Sequence, residues 1–304
     1  MNKAMKIVLI IVLVLVILFF AFSLFMAGFV MTGQRQTLDE AFEWQSEHYD
    51  TSFYEGLSKT DYTIPGYEGY ELHVELLTDS NASAKSTKYI ILSHGYTDNR
   101  MGSLKYVPMY MELGYNCIVY DLRGHGLNDK TFTSYGILES QDLLCLIEDT
   151  LERYPDLTCL GLHGESLGAA TTLTCLKEKP AVNFVVADCG FSDIENVLKN
   201  GYKSVGVPTF LFEIADFGAV MRYHYSLRDM RPIDSLDDNT IPILFMHGAE
   251  DFLIVPKNSE DMAQRTKGVK EIHLIPKAGH AESILTDPKA YHKYVESFLS
   301  SLQD

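Results

Sequence analysis

A G-x-S-x-G motif at residues 164–168 constrains the fold of this chain more than any other feature of its sequence. Residues 157–163 form a short apolar run typical of a buried strand, and residues 169–179 have helical composition and end before Pro180. A sharp turn between strand and helix strains its central residue, Ser166, and lifts the serine hydroxyl above the edge of the sheet. An ordinary glycine-rich turn can carry the same pattern by chance, but the flanking strand and helix favour a nucleophile.

A serine hydroxyl is a weak nucleophile, so it needs a histidine base and a carboxylate that orients the base. The chain supplies both, in the order Ser, Asp, His. A predicted strand at residues 242–248 is followed by Asp251, and a predicted last strand at residues 270–275 is followed by a loop that carries His280. The order and spacing predict a triad of Ser166, Asp251 and His280.

Several other side chains compete for these roles. Asp188 follows a predicted strand at residues 183–187 and could supply the acid from there, and Glu250 stands next to Asp251. Other histidines are interpreted as residues that brace loops or strand ends through hydrogen bonds, namely His94, His125, His163, His247 and His273. The sequence has no H-E-x-x-H motif and no C-x-x-C pair, and serine chemistry needs no metal, so we expect neither a metal nor a cofactor.

The oxyanion that forms when a serine attacks a carbonyl group needs preorganised N–H donors, normally two backbone amides. Leu167, directly after the nucleophile, is expected to supply one of them. The second is expected from Tyr96, because residues 88–96 supply an early strand and the loop after it, and Gly95 allows the turn that aims the Tyr96 amide inward.

These residues together resemble the α/β-hydrolase superfamily, and most closely its bacterial membrane-anchored serine hydrolases of the esterase or lipase kind. Segments 94–100, 121–126 and 247–251 and the pair Gly279-His280 are similar to that family, in its order, within a resemblance that covers residues 65–304. The resemblance implies an α/β-hydrolase fold, with a mostly parallel central sheet, flanking helices and a helical cap insertion.

Residues 7–31 form the second strong feature, a run of 25 residues without a charged side chain. As a helix this run is about 37 Å long, enough to cross a hydrocarbon core of about 30 Å. A cleavable signal peptide has a shorter apolar stretch, and a core helix shows a polar stripe that this run lacks. The sequence therefore predicts one transmembrane helix that acts as a signal anchor.

The charges beside this helix predict its orientation. Lys3 and Lys6 precede it, whereas Arg35 follows it in an acidic segment, so the positive-inside rule places residues 1–6 in the cytoplasm and the catalytic domain outside. The odd number of cysteines, five, points the other way, because scattered single cysteines are typical of reduced proteins. Buried cysteines act as small apolar residues in any compartment, so the flanking charges have more weight.

Beyond the anchor, the sequence predicts two further segments. Residues 32–60 are a juxtamembrane connector with a helix at residues 38–48, and residues 61–304 are the hydrolase domain, which ends in an amphipathic helix at residues 288–302. A formal net charge of −16 disfavours nucleic acid and anionic headgroups as partners. The expected partners are a small-molecule ester and the membrane that holds the anchor, and nothing in the sequence sets the oligomeric state.

An insertion at residues 192–237 is predicted to be the cap. It carries nine large apolar or aromatic side chains, namely Tyr202, Phe210, Leu211, Phe212, Ile214, Phe217, Met221, Tyr223 and Tyr225. Some of these must hold the cap together, but such a cap favours short-to-medium acyl or aryl esters as substrates. A serine peptidase or an acyltransferase would use the same triad, and a catalytically silent binding protein is the alternative from another functional class.

Overall fold

The computed structural model describes residues 2–80 and 86–302, and eight strands within these ranges form one sheet. The strands are β1 (Leu57–Pro65), β2 (Glu71–Asp79), β3 (Lys88–Ser93), β4 (Tyr115–Tyr120), β5 (Cys159–Glu165), β6 (Phe184–Asp188), β7 (Ile243–Gly248) and β8 (Lys270–Ile275). The α-helices are α1 (Lys3–Met31), α2 (Leu38–His48), α3 (Val107–Glu112), α4 (Ile137–Arg153), α5 (Leu167–Cys175), α6 (Ile194–Ser204), α7 (Leu211–Tyr223), α8 (Lys257–Arg265), α9 (Ser283–Thr286) and α10 (Pro288–Ser301).

The sheet is mostly parallel, as the sequence predicts. Its strand order is β1-β2-β4-β3-β5-β6-β7-β8. β2 pairs antiparallel with both β1 and β4, and every pairing from β4 through β3 to β8 is parallel. The strands from β3 to β8 are joined by crossovers that contain helices, which is the connection that parallel strands require.

The register of the parallel strands determines where the functional loops emerge. Glu165 at the end of β5 lies opposite Asp188 at the end of β6, and Gly248 at the end of β7 lies opposite Ile275 at the end of β8. The loops that follow these strands therefore leave the sheet at its carboxyl edge, which is where open α/β sheets bind their ligands.

The centre of the sheet is the core of the protein. Every residue of β4, β6 and β7 is buried, whereas edge strand β8 alternates between exposed and partly buried positions until its last residue, Ile275, which is buried. Continuous burial is typical of parallel strands covered by helices on both faces. Leu92, Val186 and Met246 share one buried cluster with Tyr291 and Phe298 of α10. Burial of each large apolar side chain contributes about 1.5–3 kcal/mol to folding.

Two helices lie where the sequence predicts them. Helix α2 begins after Thr37, whose side chain accepts a hydrogen bond from the Glu40 N–H while the Glu40 carboxylate accepts one from the Thr37 N–H. This reciprocal capping satisfies two donors that a helix start leaves free. Helix α10 begins at Pro288 after a cap by the Asp287 side chain.

The chain divides into two compact units. The larger unit comprises Gln34–Asp193 and the chain from Arg231 onward, and it contains the whole sheet. The smaller unit comprises the chain up to Gly33 together with Ile194–Met230, and it contains α1, α6 and α7. Helix α1 is continuous over the predicted apolar run and is long and apolar enough to cross a membrane.

All five cysteines are free thiols. Cys117, Cys175 and Cys189 are fully buried, and burial raises the pKa of each of these thiols. They pack as small apolar side chains, so their number carries little information about the redox compartment.

Candidate active site

Ser166 lies at the sharp turn between β5 and α5. Its backbone has φ 53° and ψ −111°, and such a conformation costs an L-residue about 1–3 kcal/mol. A Cβ atom on Gly164 would lie 2.2 Å from the Gly168 carbonyl oxygen, and one on Gly168 would lie 2.0 Å from the Ser93 carbonyl oxygen. The Ser166 N–H donates to the Asp188 carbonyl oxygen at 2.9 Å. The strained turn is therefore present, and only glycine fits on either side of it.

The structure brings Ser166, His280 and Asp251 together. The His280 Nε2 atom lies 2.9 Å from the Ser166 Oγ, and its Nδ1 atom lies 2.7 Å from the Asp251 Oδ2. This geometry suits a ring that donates its Nδ1–H to the carboxylate and accepts the serine O–H at Nε2. The Asp251 side chain is fully buried and the His280 side chain is 22% exposed, so the base remains accessible while the acid is not.

Asp251 is held in its ionised form. The N–H groups of Leu253 and Ile254 donate to its Oδ1 at 2.9 and 2.8 Å, and the His247 Nε2 lies 3.3 Å from its Oδ2. Burial acts to raise the pKa of Asp251, but the hydrogen bonds from His247 and His280 outweigh burial and hold this pKa well below the usual range. Asp251 is therefore a carboxylate at neutral pH and can stabilise a protonated imidazole.

Asp188, the competing acid, has other partners. The hydroxyl groups of Tyr106 and Ser283 each donate to its carboxylate at 3.2 Å. Burial, together with the neighbouring charge of Glu165, raises the pKa of Asp188. Glu250, the other alternative, is exposed. Asp251 is thus the candidate acid that contacts the histidine.

The segments that carry the two expected oxyanion donors lie beside the nucleophile. Leu167 is the first residue of α5, where a backbone N–H has no acceptor within its own helix. Tyr96 follows Gly95, and a Cβ atom on Gly95 would lie 3.7 Å from the Ser166 Cβ and 3.4 Å from the Glu165 Oε1. Both amides therefore belong to segments that flank Ser166, as an oxyanion hole requires.

His94 and His125 brace the loops around this site, as the sequence indicates. The His94 Nε2 accepts the Leu122 N–H at 2.9 Å, and its Nδ1–H donates to the Gly95 carbonyl oxygen at 2.8 Å. The His125 Nδ1 lies 2.9 Å from the Arg123 carbonyl oxygen. Burial lowers the pKa of both rings, so both are neutral structural groups.

A buried ion pair that carries no sequence motif links the two functional loops. The Lys105 Nζ lies 2.5 Å from the Glu165 Oε2 and donates to the Ala281 carbonyl oxygen at 2.9 Å. The Tyr106 hydroxyl donates to the same Glu165 oxygen at 2.5 Å. Burial opposes the charge of Lys105, but the Glu165 carboxylate raises the lysine pKa. Because Ala281 follows His280, Lys105 ties the histidine loop to the nucleophile turn.

Replacing this lysine tests the link. Lys105→Met is expected to lower the free energy of unfolding by about 3–5 kcal/mol, because the variant leaves the Glu165 carboxylate buried without a counter-charge. The double variant Lys105→Met/Glu165→Gln removes both charges and should recover much of the loss. Urea unfolding of the parent and the two variants gives the three free energies, and equal stability of parent and single variant would contradict this assignment.

One set of three potential metal ligands occurs within the described ranges, formed by Cys189, Asp251 and His280, whose ligand atoms all lie within 4.8 Å of one another. Burial raises the pKa of the Cys189 thiol, which disfavours the thiolate that metals bind. The other two members already bond to each other. The set is thus better suited to holding His280 in place than to holding a metal.

Comparison with known proteins finds chains of similar sequence. A model of the prolyl oligopeptidase family matches residues 102–302. The uncharacterised protein YqkD of Bacillus subtilis is 31% identical to this chain over 258 residues, which cover 83% of this chain and 82% of that protein.

Solved structures show the same fold. The Pyrococcus furiosus esterase Pf2001 superposes with a TM-score of 0.67 at 22% identity, over 83% of this chain and 96% of the esterase chain. The acylaminoacyl peptidase of Pyrococcus horikoshii superposes with a TM-score of 0.62 at 17% identity, over 83% of this chain and 42% of the peptidase chain. These similarities confirm the α/β-hydrolase fold that the sequence motifs imply.

Proposed function

This chain belongs to the prolyl oligopeptidase family and is a hydrolase of the serine α/β type, and we propose that it cleaves carboxylic esters through an acyl-enzyme. The observation that carries the proposal is the run of contacts from the Ser166 Oγ through His280 to Asp251, at 2.9 and 2.7 Å. A hydroxyl, an imidazole and a carboxylate in this arrangement provide the nucleophile, the base and the orienting group of acyl transfer.

The first half of the proposed reaction forms the acyl-enzyme. The Ser166 Oγ attacks the ester carbonyl carbon while the His280 Nε2 takes the hydroxyl proton, and Asp251 stabilises the resulting imidazolium. The Leu167 and Tyr96 amides donate to the oxyanion. When this intermediate collapses, the ester C–O bond breaks and His280 returns the proton to the leaving alcohol.

The second half releases the acid. Water attacks the acyl carbon, His280 takes the water proton, and the bond from the carbonyl carbon to the Ser166 Oγ breaks. The proton then passes from His280 to the serine oxygen and restores the starting state. Every proton transfer in both halves is therefore assigned to a side chain of this chain.

Esters are the proposed substrates for two reasons. The matched region corresponds to almost the whole chain of the Pyrococcus furiosus esterase but to 42% of the acylaminoacyl peptidase. The predicted cap at residues 192–237 also contains aromatic side chains that are not among its most exposed ones, such as Tyr202 and Phe212, and such a composition suits short-to-medium acyl or aryl groups. A serine peptidase is the second candidate, because the family match is to a peptidase family. An acyltransferase would form the same acyl-enzyme and pass the acyl group to an acceptor other than water.

A hydrolysis panel tests the proposed substrate class. The purified full chain is assayed with acyl esters of increasing length, aryl esters and peptide amides, alongside a fluorophosphonate probe that labels activated serines. Ester turnover with a higher kcat/KM than any amide supports the proposal. A higher kcat/KM for a peptide amide than for any ester would indicate a peptidase. If the protein neither turns over any substrate nor reacts with the probe, it is a catalytically silent member of the fold.

Helix α1 is proposed to anchor the enzyme as a single-pass membrane protein with the catalytic domain outside the cytoplasm. The Arg35 guanidinium donates to the carbonyl oxygens of Gly124 and Thr131 and to the Thr133 hydroxyl, at 2.5 to 2.7 Å. This cation is engaged by the fold of the larger unit. Lys3 and Lys6 are therefore the cations at the helix ends that remain available to set orientation.

Cell fractionation tests the anchor and its orientation. The protein is expected to stay in the membrane fraction after a carbonate wash, because an apolar helix of this length is held by far more than electrostatic attraction. Protease added to intact spheroplasts should digest the catalytic domain. Complete protection until lysis would place the domain in the cytoplasm, and release by carbonate would exclude a spanning helix.

A further inference from the structure

Helices α1 and α7 of the smaller unit touch backbone to backbone. A Cβ atom on Gly218 would lie 1.9 Å from the Ser23 carbonyl oxygen and 3.1 Å from the Ala27 Cβ, and Ser23 and Ala27 are themselves buried. Contact this close requires small residues on both helices. Small residues at such contacts are typical of helix pairs that associate within lipid, where van der Waals packing replaces the hydrophobic effect.

The contacts occur in the same order along both helices. The Phe217 ring lies 5.5 Å from the rings of Phe19 and Phe20, and further along both helices the Arg222 guanidinium lies against Gly28. The two helices therefore run side by side in one direction. The segment around Phe217 is level with the apolar middle of α1, and Arg222 is level with the end of α1.

The outer, exposed side of α7 is mostly apolar, because three of its five exposed residues are apolar and the other two are Glu213 and Arg222. Phe210, just before α7, is 61% exposed, and within α7 Phe217 is 36% exposed, Val220 44% and Met221 50%. Phe217 is continuous with the exposed apolar surface of α1 through its contacts with Phe19 and Phe20. In water such a surface would be an aggregation liability, whereas in a bilayer acyl chains would cover it.

The charges of the smaller unit fit the boundary between acyl chains and headgroups. Arg222, level with the end of α1, is placed to meet lipid phosphates. The acidic side chains nearer the start of α7 are paired with cations of the same unit. Glu213 pairs with Arg228 and Lys199, and Asp216 pairs with Arg228 at 2.5 Å. Residues 194–230 carry equal numbers of acids and cations, namely Glu195, Glu213, Asp216 and Asp229 against Lys199, Lys203, Arg222 and Arg228. This segment therefore escapes the repulsion from anionic lipid that the net charge of −16 predicts for the chain as a whole.

We propose that α7 is a second membrane-contacting element, which lies beside the outer half of α1 with Phe210, Phe217, Val220 and Met221 among the acyl chains and Arg222 at the headgroups. The inference rests on the proposed anchoring by α1. The insertion between β6 and β7 of this hydrolase is then held at the lipid surface by its own apolar face, and the partner of that face is the phospholipid bilayer.

Tryptophan fluorescence tests the proposal on the full chain. Trp44 is the single tryptophan of the sequence, so a Trp44→Phe background allows one new reporter at a time. Phe217→Trp reports on α7, Leu15→Trp on α1, and Val269→Trp, exposed in the larger unit, is the aqueous control. Each protein is reconstituted into phosphatidylcholine vesicles with or without bromine atoms midway along the acyl chains, because bromine quenches tryptophan only at contact range.

Brominated lipid is expected to quench residues 15 and 217 and to leave residue 269 unchanged. Quenching at residue 15 without quenching at residue 217 would overturn the proposal for α7 and leave the anchor intact. No quenching at residue 15 would overturn the anchor and, with it, this inference. If Phe217→Trp fails to fold, Met221→Trp, on the same outer side, replaces it. Quenching at residue 221 would then support the proposal, and its absence would overturn it.

Discussion

Ester turnover by a Ser166→Ala variant is expected to fall by about 10³-fold or more while the protein remains folded. The Ser166 Oγ is the atom proposed to form the acyl-enzyme, and its hydrogen-bond partner is the His280 Nε2. Without the hydroxyl, only water can attack the substrate, aided by the oxyanion donors and by binding. Values of kcat and KM for the best ester of the panel, measured for parent and variant, give the loss.

The substitution isolates chemistry from folding. Alanine bears the same backbone strain as serine at φ 53°, and the N–H of residue 166 still donates to the Asp188 carbonyl oxygen. Circular dichroism and the thermal midpoint of the variant should therefore match those of the parent. A folded Ser166→Ala protein that hydrolyses esters at nearly the parental rate, or still binds the fluorophosphonate probe covalently, would rule out the proposed mechanism.

The elements around the nucleophile were predictable because each depends on local sequence. Glycine at 164 and 168 is the only residue that fits the turn, and the apolar run before it is long enough for one buried strand. The chain order of Ser166, Asp251 and His280 then placed the other two groups at loops that follow parallel strands. The structure brings these three side chains to hydrogen-bond distance.

Contacts between segments that are distant in the chain could not be predicted from the sequence. Lys105 reaches Glu165 and the Ala281 carbonyl oxygen from a 3₁₀ turn after β3, and no spacing rule connects these three positions. The sequence also did not predict that α1 groups with the inserted helices α6 and α7. Within a helix, Gly218 looks only like a residue of low helix propensity, and its role becomes clear only from its close contact with Ser23. Such pairings depend on tertiary contact, which hydrophobic periodicity does not encode.

Asp251→Asn is expected to lower kcat by about 10⁴-fold, whereas Asp188→Asn should cost far less. An amide at position 251 can donate to the His280 Nδ1 and thereby favour the tautomer with its proton on Nε2, which cannot act as the base. It also removes the charge that stabilises the imidazolium. Asp188 contacts the hydroxyl groups of Tyr106 and Ser283 instead of His280, so an amide at position 188 leaves the hydrogen bond that orients the imidazole intact.

A stability profile with pH separates the electrostatic role of Asp251 from a loss of folding. Because the pKa of Asp251 in the folded protein lies below the value of about 3.9 expected in the unfolded chain, the ionised group stabilises the fold above about pH 4, and this contribution is lost as the pH falls further. The free energies of unfolding of parent and Asp251→Asn should therefore converge in acid. If the Asp188→Asn variant loses more activity than the Asp251→Asn variant at matched stability, the acid of the triad belongs to β6.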